Sequence, residues 1–208
     1  MTQYEQVIKV MEKNGGFATL GFLNNNVAVS NWKTKTPFAS IRRIVQDKRF
    51  FFKIKPGLWA LKKYKYEVLK QFDLEKKDFK KDTDFTHYYY QGLILEIGNI
   101  KGFSTYVSPQ DKNQKYLTRK LSEVSSIDTI YEFSYPEIIR RAKTVDVVWF
   151  NERRLPNSFF EVEHTTDIQN SLLKFSDLQD FYSNFYIISD SARKREFEEK
   201  INYSVFLA

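Results

Sequence analysis

The spacing of apolar residues predicts three helices in the first 47 residues. Apolar positions recur at helical spacing over residues 3–13, and the pair Gly15-Gly16 marks the end of that helix. A second, short helix is expected over residues 18–28. A third is predicted over residues 36–47, where Thr36 can cap the helix and a proline occupies its first position.

A basic hairpin follows these helices. Residues 49–55 have the pattern of a strand, Pro56-Gly57 that of a tight turn, and residues 58–61 that of the returning strand. Three helices and a hairpin in this order predict a winged helix-turn-helix over residues 1–65. The stretch RFFFKIKPGLWAL resembles the HARE-HTH type of winged helix. This resemblance implies that the third helix enters the major groove of DNA and that the hairpin contacts the backbone.

The pattern changes after a charge-rich stretch, residues 66–85, which is interpreted as a linker. Residues 86–208 predict, in order, an amphipathic helix, three strands, a helix and a strand, or αβββαβ in a mixed sheet. The predicted bounds are helix 87–102, strands 104–108, 145–150 and 157–165, a helix from the capping box at 166–169 to about 182, and strand 184–190. A charged helix over 191–201 and a last strand over 202–206 complete the expectation. The helix between the last two core strands predicts a parallel crossover.

Charge is divided unevenly between these two parts. Residues 1–65 contain 13 Lys or Arg and 3 acidic residues, a net charge of +10, whereas residues 66–208 have a net charge of −3. A basic first third favours a module that binds a polyanion, although a solvated basic surface is the alternative. Arg42 and Arg43 are expected to contact base edges. Phosphate contacts are expected from Lys33, Lys35, Lys53 and Lys55.

Composition narrows the classes of protein. The absence of cysteine excludes disulfides and thiolate zinc sites, and two histidines argue against a histidine-based metal cage. The N-terminus lacks the apolar core of a signal peptide, and no apolar run approaches the ~20 residues that span a bilayer. We therefore expect a cytoplasmic protein with no membrane partner.

Acidic residues fall on strands that are otherwise apolar. In FFEVEHTT, Glu161 and Glu163 lie two residues apart and share one face of the strand 157–165. If this strand forms a hairpin with the preceding one, Asp146 lies near them, and Glu96 of the first helix is expected at the same place. Carboxylates that converge without an evident basic partner favour a Mg²⁺ site, with solvated acids as the alternative.

These residues resemble the motif of the PD-(D/E)XK nuclease superfamily, and EVEHTTDIQNSLLKFSDL is similar to a subgroup of restriction-type nucleases. The resemblance implies that Asp146 and Glu161 are metal ligands. The third motif position usually holds lysine and is Glu163 here, which leaves open whether Glu163 orients the attacking water, deprotonates it or binds a second metal ion. Lys174 and Lys143 are other sources of positive charge.

The predicted function is Mg²⁺-dependent hydrolysis of double-stranded DNA by a type II restriction endonuclease from a prokaryote. A homodimer is expected because both strands of a palindrome are cut. Three alternatives remain: a DNA-binding regulator with an inactive nuclease fold, a methylation-dependent or repair nuclease, and a winged helix that binds a protein partner.

Overall fold

The computed structural model describes residues 1–71, 84–163, 167–203 and 206. The chain divides into two compact units, Met1–Lys81 and Asp82–Ala208, referred to below as the N-terminal and C-terminal units. Within the described ranges, no helix has the length and apolar character needed to cross a membrane.

Over its described residues, the N-terminal unit combines four α-helices with a three-stranded antiparallel sheet in the strand order β1-β3-β2. The pair β2–β3 forms the predicted hairpin around Pro56-Gly57. The elements are α1 (Gln3–Lys13), β1 (Phe17–Thr19), α2 (Leu20–Asn26), α3 (Pro37–Val45), β2 (Phe51–Lys55), β3 (Leu58–Leu61) and α4 (Lys65–Gln71).

Strand β1 is absent from the sequence prediction, which placed residues 18 and 19 in a helix. Helix α2 begins only at Leu20, because the hydroxyl of Thr19 accepts a hydrogen bond from the backbone N–H of Phe22 at 3.0 Å and caps the helix. At α3, by contrast, Thr36 occupies the N-cap position without a side-chain hydrogen bond, and Pro37 begins the helix.

An apolar core joins the helices and the sheet of the N-terminal unit. Met11 of α1, Leu23 of α2 and Ile41 of α3 are fully buried in one cluster, together with Phe51 of the hairpin. This packing leaves the polar side of α3 on the surface, where Arg42 and Arg43 are exposed.

The C-terminal unit contains a four-stranded mixed sheet in the order β4-β7-β8-β9. Strands β4, β7 and β8 pair antiparallel, and β8 pairs parallel with β9, so the predicted hairpin and parallel crossover are confirmed. The elements are α5 (Asp84–Ile100), β4 (Ser104–Val107), β5 (Lys115–Tyr116), β6 (Arg119–Lys120), α6 (Pro136–Ala142), β7 (Val147–Phe150), β8 (Pro156–Glu163), α7 (Ile168–Ser176), β9 (Asn184–Ser189) and α8 (Lys194–Ile201).

Helix α5 begins at Asp84, inside the stretch predicted as a linker, and two larger differences from prediction follow later in this unit. Helix α7 ends at Ser176 instead of about residue 182, because the chain must turn back to start β9 beside the start of β8. The hydroxyl of Ser183 anchors that return by donating to the backbone carbonyl of Pro156 at 2.8 Å. The predicted last strand is absent at Asn202 and Tyr203, which follow α8 as its cap and a bend, and residues 204 and 205 lie outside the described residues.

Helices α5 and α7 contact the sheet and position the candidate site. Helix α5 approaches β4 and β7 closely at Gly98, where an added Cβ would lie 2.5 Å from Thr105 and 2.6 Å from Trp149. Helix α7 buries Leu172 and Phe175 toward the sheet.

Candidate metal centre

Three buried carboxylates meet where β7 begins and β8 ends. Asp146 immediately precedes β7, and the register Val147↔Phe160, continued by one residue, places it opposite Glu161. The exposed fractions of Asp146, Glu161 and Glu163 are 8%, 2% and 5%. Burying carboxylates is costly unless hydrogen bonds or opposite charges compensate them.

Helix α7 supplies the partners of the two glutamates. The ammonium nitrogen of Lys174 lies 2.9 Å from each carboxylate oxygen of Glu161 and 3.0 Å from the backbone oxygen of Thr144. The hydroxyl of Ser171 donates a short hydrogen bond to Glu163 and lies 3.3 Å from Glu161. The expectation of carboxylates without a basic partner is therefore wrong for Glu161.

Negative charge exceeds positive charge among these buried side chains. Burial raises the pKa of all three carboxyls, most clearly that of Glu161, whose pKa the charge of Asp146 raises further while Lys174 opposes the change. Lys174 pairs with Glu161, and the charges of Lys174 and Arg193 oppose the rise in the pKa of Glu163. A divalent cation would supply the missing positive charge, and carboxylate oxygens are the ligands that Mg²⁺ prefers.

Asp146 also faces helix α5. One of its oxygens accepts a hydrogen bond from the backbone N–H of Val162 at 2.8 Å and lies 3.7 Å from the Nε2 atom of His87. His87, Asp111 and Asp146 each offer a ligand atom, and these atoms lie within 4.8 Å of one another. Asp111 accepts hydrogen bonds from Gln91 at 2.9 Å and from Ser108 at 3.0 Å.

Glu96, which was expected at the same place, lies on another side of α5. It follows His87 by nine residues, which is two and a half turns at about 3.6 residues per turn. It lies 3.6 Å from a guanidinium nitrogen of Arg119, and its charge, together with burial, raises the pKa of Tyr116. A role for Glu96 in the site stays a prediction.

The basic residues predicted to contact DNA all belong to the N-terminal unit. Lys33 and Lys35 precede α3, Arg42 and Arg43 lie on α3, and these four side chains are exposed. On β2, the exposed Lys53 is followed by the half-buried Lys55. Their contact with DNA stays a prediction.

Sequence reasoning named Lys174 as a source of positive charge but missed the other partners of the carboxylates. Ser171 and Lys174 are three residues apart on α7, and His87 and Gln91 four apart on α5, so each pair shares a helix face. That spacing alone occurs in many helices. Asp111 lies in a loop, and nothing in the sequence around it indicates its place.

Known proteins match this sequence mainly over its C-terminal unit. Residues 68–207 match the family model of the C-terminal domain of the type II restriction enzyme NmeDI. The type II restriction enzyme NmeDI of Neisseria meningitidis serogroup C is 26% identical over 129 residues, which are 57% of this chain and 37% of the relative. The chain thus matches little more than a third of that protein's length. No solved structure matches the chain significantly. The matched residues span more than half of the sequence and include Asp146, Glu161 and Glu163. The chain therefore belongs to the family of the type II restriction enzyme NmeDI C-terminal domain.

Proposed function

We propose that this protein is a Mg²⁺-dependent, sequence-specific endonuclease of double-stranded DNA, of the type II restriction kind, that acts as a homodimer in a prokaryotic cytoplasm. The observation that carries the proposal is the burial of Asp146, Glu161 and Glu163 together at one end of a mixed sheet. Family membership supports it, as does similarity to a type II restriction enzyme. The proposal includes a PD-(D/E)XK core for the C-terminal unit.

The donor set fits a hard divalent cation. Asp146 and Glu161 would hold Mg²⁺ through carboxylate oxygens. The excess of negative charge among these buried groups would attract the ion. When bound, the ion would activate water and neutralise charge at the scissile phosphate.

Glu163 is proposed to hold the attacking water or to take its proton. The hydrogen bond from Ser171 fixes the carboxylate of Glu163, and burial raises its pKa, which makes it a stronger base than an exposed glutamate. Lys174 supplies a positive charge beside Glu161. It thereby offsets part of the absence of lysine from the third motif position.

The N-terminal unit is proposed to be a winged helix-turn-helix that binds DNA. The observed order α-β-α-α-β-β and the hairpin β2–β3 support this assignment. Arg42 and Arg43 on α3 would contact guanine edges in the major groove. Phosphates would be bound by Lys33, Lys35, Lys53 and Lys55. Cutting both strands of a palindrome requires two active sites, which is the reason for proposing a homodimer.

One observation favours a second candidate function. The ion pair between Lys174 and Glu161 satisfies a carboxylate that the nuclease needs as a metal ligand. A protein that binds DNA and carries an inactive nuclease fold would keep such a pair intact. The two functions differ in whether DNA is cut.

Digestion of phage DNA separates them. Purified protein is incubated with unmethylated and with methylated DNA, in Mg²⁺ and in EDTA, beside Glu161→Gln and the exposed control Glu152→Gln. The nuclease predicts discrete fragments that require Mg²⁺, persist in Glu152→Gln and disappear in Glu161→Gln. Cleavage of methylated DNA alone would indicate a methylation-dependent enzyme. No cleavage of either DNA would contradict the proposal and favour the binding protein.

A further inference from the structure

The region between α5 and Asp146 has more hydrogen-bond acceptors than donors. His87, Asp111 and Asp146 place one ligand atom each within 4.8 Å of the others. The side chain of His87 is 28% exposed and that of Asp146 is 11% exposed, so a small ion can reach them from solvent while the groups stay largely fixed. Among the described residues, no lysine or arginine forms an ion pair with any of the three.

The amide of Gln91 determines which nitrogen of His87 carries a lone pair. An ionised carboxylate only accepts hydrogen bonds, so the Gln91 atom 2.9 Å from Asp111 must be Nε2, which donates. The same Nε2 lies 3.0 Å from Nε2 of His87, and its second hydrogen can point there. His87 Nε2 therefore accepts this hydrogen bond, which fixes the tautomer whose Nε2 can bind a metal ion once the N–H of Gln91 turns away.

The amide of Gln91 also has a buried acceptor without a donor. The other atom of the same amide, Oε1 of Gln91, is buried and has no hydrogen-bond partner in the described parts of the chain, and Gln91 is fully buried. An unsatisfied buried carbonyl costs roughly 1–3 kcal/mol. With a cation present, rotation of the amide by a half-turn would exchange Nε2 and Oε1, which would free the lone pair of His87 and turn the unsatisfied oxygen toward the ion.

We propose that His87, Asp111 and Asp146 form a cation site distinct from the pair Glu161/Glu163, and that this site binds a first-row transition-metal ion in preference to Mg²⁺. Imidazole nitrogen is a good ligand for ions such as Co²⁺, Ni²⁺ and Zn²⁺, whereas Mg²⁺ prefers an all-oxygen set. Two carboxylates neutralise a divalent ion, and Gln91 can add a neutral oxygen. The site goes beyond the proposed nuclease reaction, because cation binding without DNA does not require that the protein cuts anything.

Asp146 is shared between this site and the proposed Mg²⁺ site, so the test uses residues on the α5 side. Co²⁺ is the probe, since its visible absorption reports its ligands, and it is titrated into the full chain without DNA. The variants are His87→Ala and Asp111→Asn, with His164→Ala as the matched histidine control, because the sequence contains these two histidines. Circular dichroism and thermal melting verify that each variant is folded.

We expect excess Mg²⁺ to leave Co²⁺ bound to the wild-type protein. His87→Ala and Asp111→Asn should each weaken Co²⁺ binding by about 10-fold or more, as loss of ligand-shell groups commonly does, and the His164→Ala variant should match the wild type. Displacement of Co²⁺ by excess Mg²⁺, together with wild-type Co²⁺ binding in His87→Ala and Asp111→Asn, would overturn the proposal. His87 would then be an ion-pair partner of Asp146. Loss of Co²⁺ binding in His164→Ala alone would also overturn it. Because DNA is absent, none of these outcomes depends on the nuclease proposal.

Discussion

The two units bury different kinds of side chain. Among the described residues of the N-terminal unit, Thr19 is the buried polar side chain, and the core is otherwise apolar. The C-terminal unit buries many more polar side chains, three of them carboxylates. These are Gln91, Thr105, Ser108, Asp146, Ser158, Glu161, Glu163 and Ser171.

This difference distinguishes the charged surface of the N-terminal unit from the buried carboxylates of the C-terminal unit. The N-terminal unit keeps its lysines and arginines on the outside, where they can meet a large polyanion without desolvation. The C-terminal unit holds carboxylates in a dry environment, where their charges interact strongly with a bound ion and weakly with bulk water. Burial of charge lowers stability, so its presence in the C-terminal unit is best explained by function.

The largest expected effect on stability is in the apolar core of the N-terminal unit. Ile41→Ala removes a fully buried side chain from α3 and should lower the free energy of unfolding by about 2–5 kcal/mol. Phe38→Ala on the same helix is the control, because Phe38 is 53% exposed. Hydrogen exchange on peptides of this unit measures the difference. Similar protection in both variants would mean that this core is not the source of its stability.

The next prediction concerns the basic surface. The double variant Lys33→Ala/Lys35→Ala should bind DNA more weakly and reduce the slope of log K against log salt by about 1.8, since each phosphate contact contributes about 0.9. Lys9→Ala/Lys13→Ala removes the same charge from α1, where no contact is predicted, and should keep the wild-type slope. Equal slopes of log K against log salt in the two double variants would show that total charge, and not the position of the lysines, governs binding.

The buried carboxylates predict a pH dependence of stability. Their pKa values are raised in the folded protein, so it binds more protons than the unfolded chain, and stability falls as pH rises through that range. In EDTA, lowering the pH from about 8 to about 6 should therefore raise the melting temperature. The free energy of unfolding should rise by up to about 1.4 kcal/mol per pH unit for each proton that the folded protein binds in excess.

Glu163→Gln tests the source of this dependence. The variant lacks one of the carboxyls with a raised pKa but keeps an acceptor for Ser171, so its stability should change less between those two pH values. Calorimetry of the two proteins measures the difference. An unchanged dependence in Glu163→Gln would place the titrating groups elsewhere.

The smallest effect concerns the buried polar residue of the N-terminal unit. Thr19→Ala removes the cap of α2 and should cost about 1 kcal/mol of stability, with DNA cleavage unchanged. Thr19→Ser keeps the hydroxyl and should recover most of that loss. Chemical denaturation of the three proteins provides the measurement. A loss of cleavage in a folded Thr19→Ala protein would contradict the division between the two units.

Local pattern was sufficient for much of the fold. Short runs of apolar and aromatic residues placed strands β7 and β8, and the helical segment between β8 and β9 indicated their parallel pairing. The same period of two placed Glu161 and Glu163 on one face, where Ser171 now contacts both. Strand β1 was missed because three residues carry too little pattern to distinguish a strand from the start of a helix.

The surroundings of the carboxylates required tertiary structure. Asp111 reaches Gln91 across 20 residues, and Lys174 reaches Glu161 across 13, so neither contact is encoded in a local period. Glu96 was expected beside Asp146, although a helix predicted over 87–102 gives no information on which of its sides faces Asp146. Only the packing of α5 on the sheet decides that.

The most direct test of the division between a binding surface and a buried reaction site compares two variants on one DNA. Binding is measured in EDTA and cleavage in Mg²⁺ for Asp146→Asn and for Arg42→Ala/Arg43→Ala. We predict that Asp146→Asn binds DNA as the wild type does and cuts it more slowly by about 10³-fold, within the range for loss of an electrostatic group at a reaction centre. The double variant Arg42→Ala/Arg43→Ala should bind DNA weakly but regain cleavage at high protein concentration. Cleavage by Asp146→Asn at the wild-type rate would contradict the account.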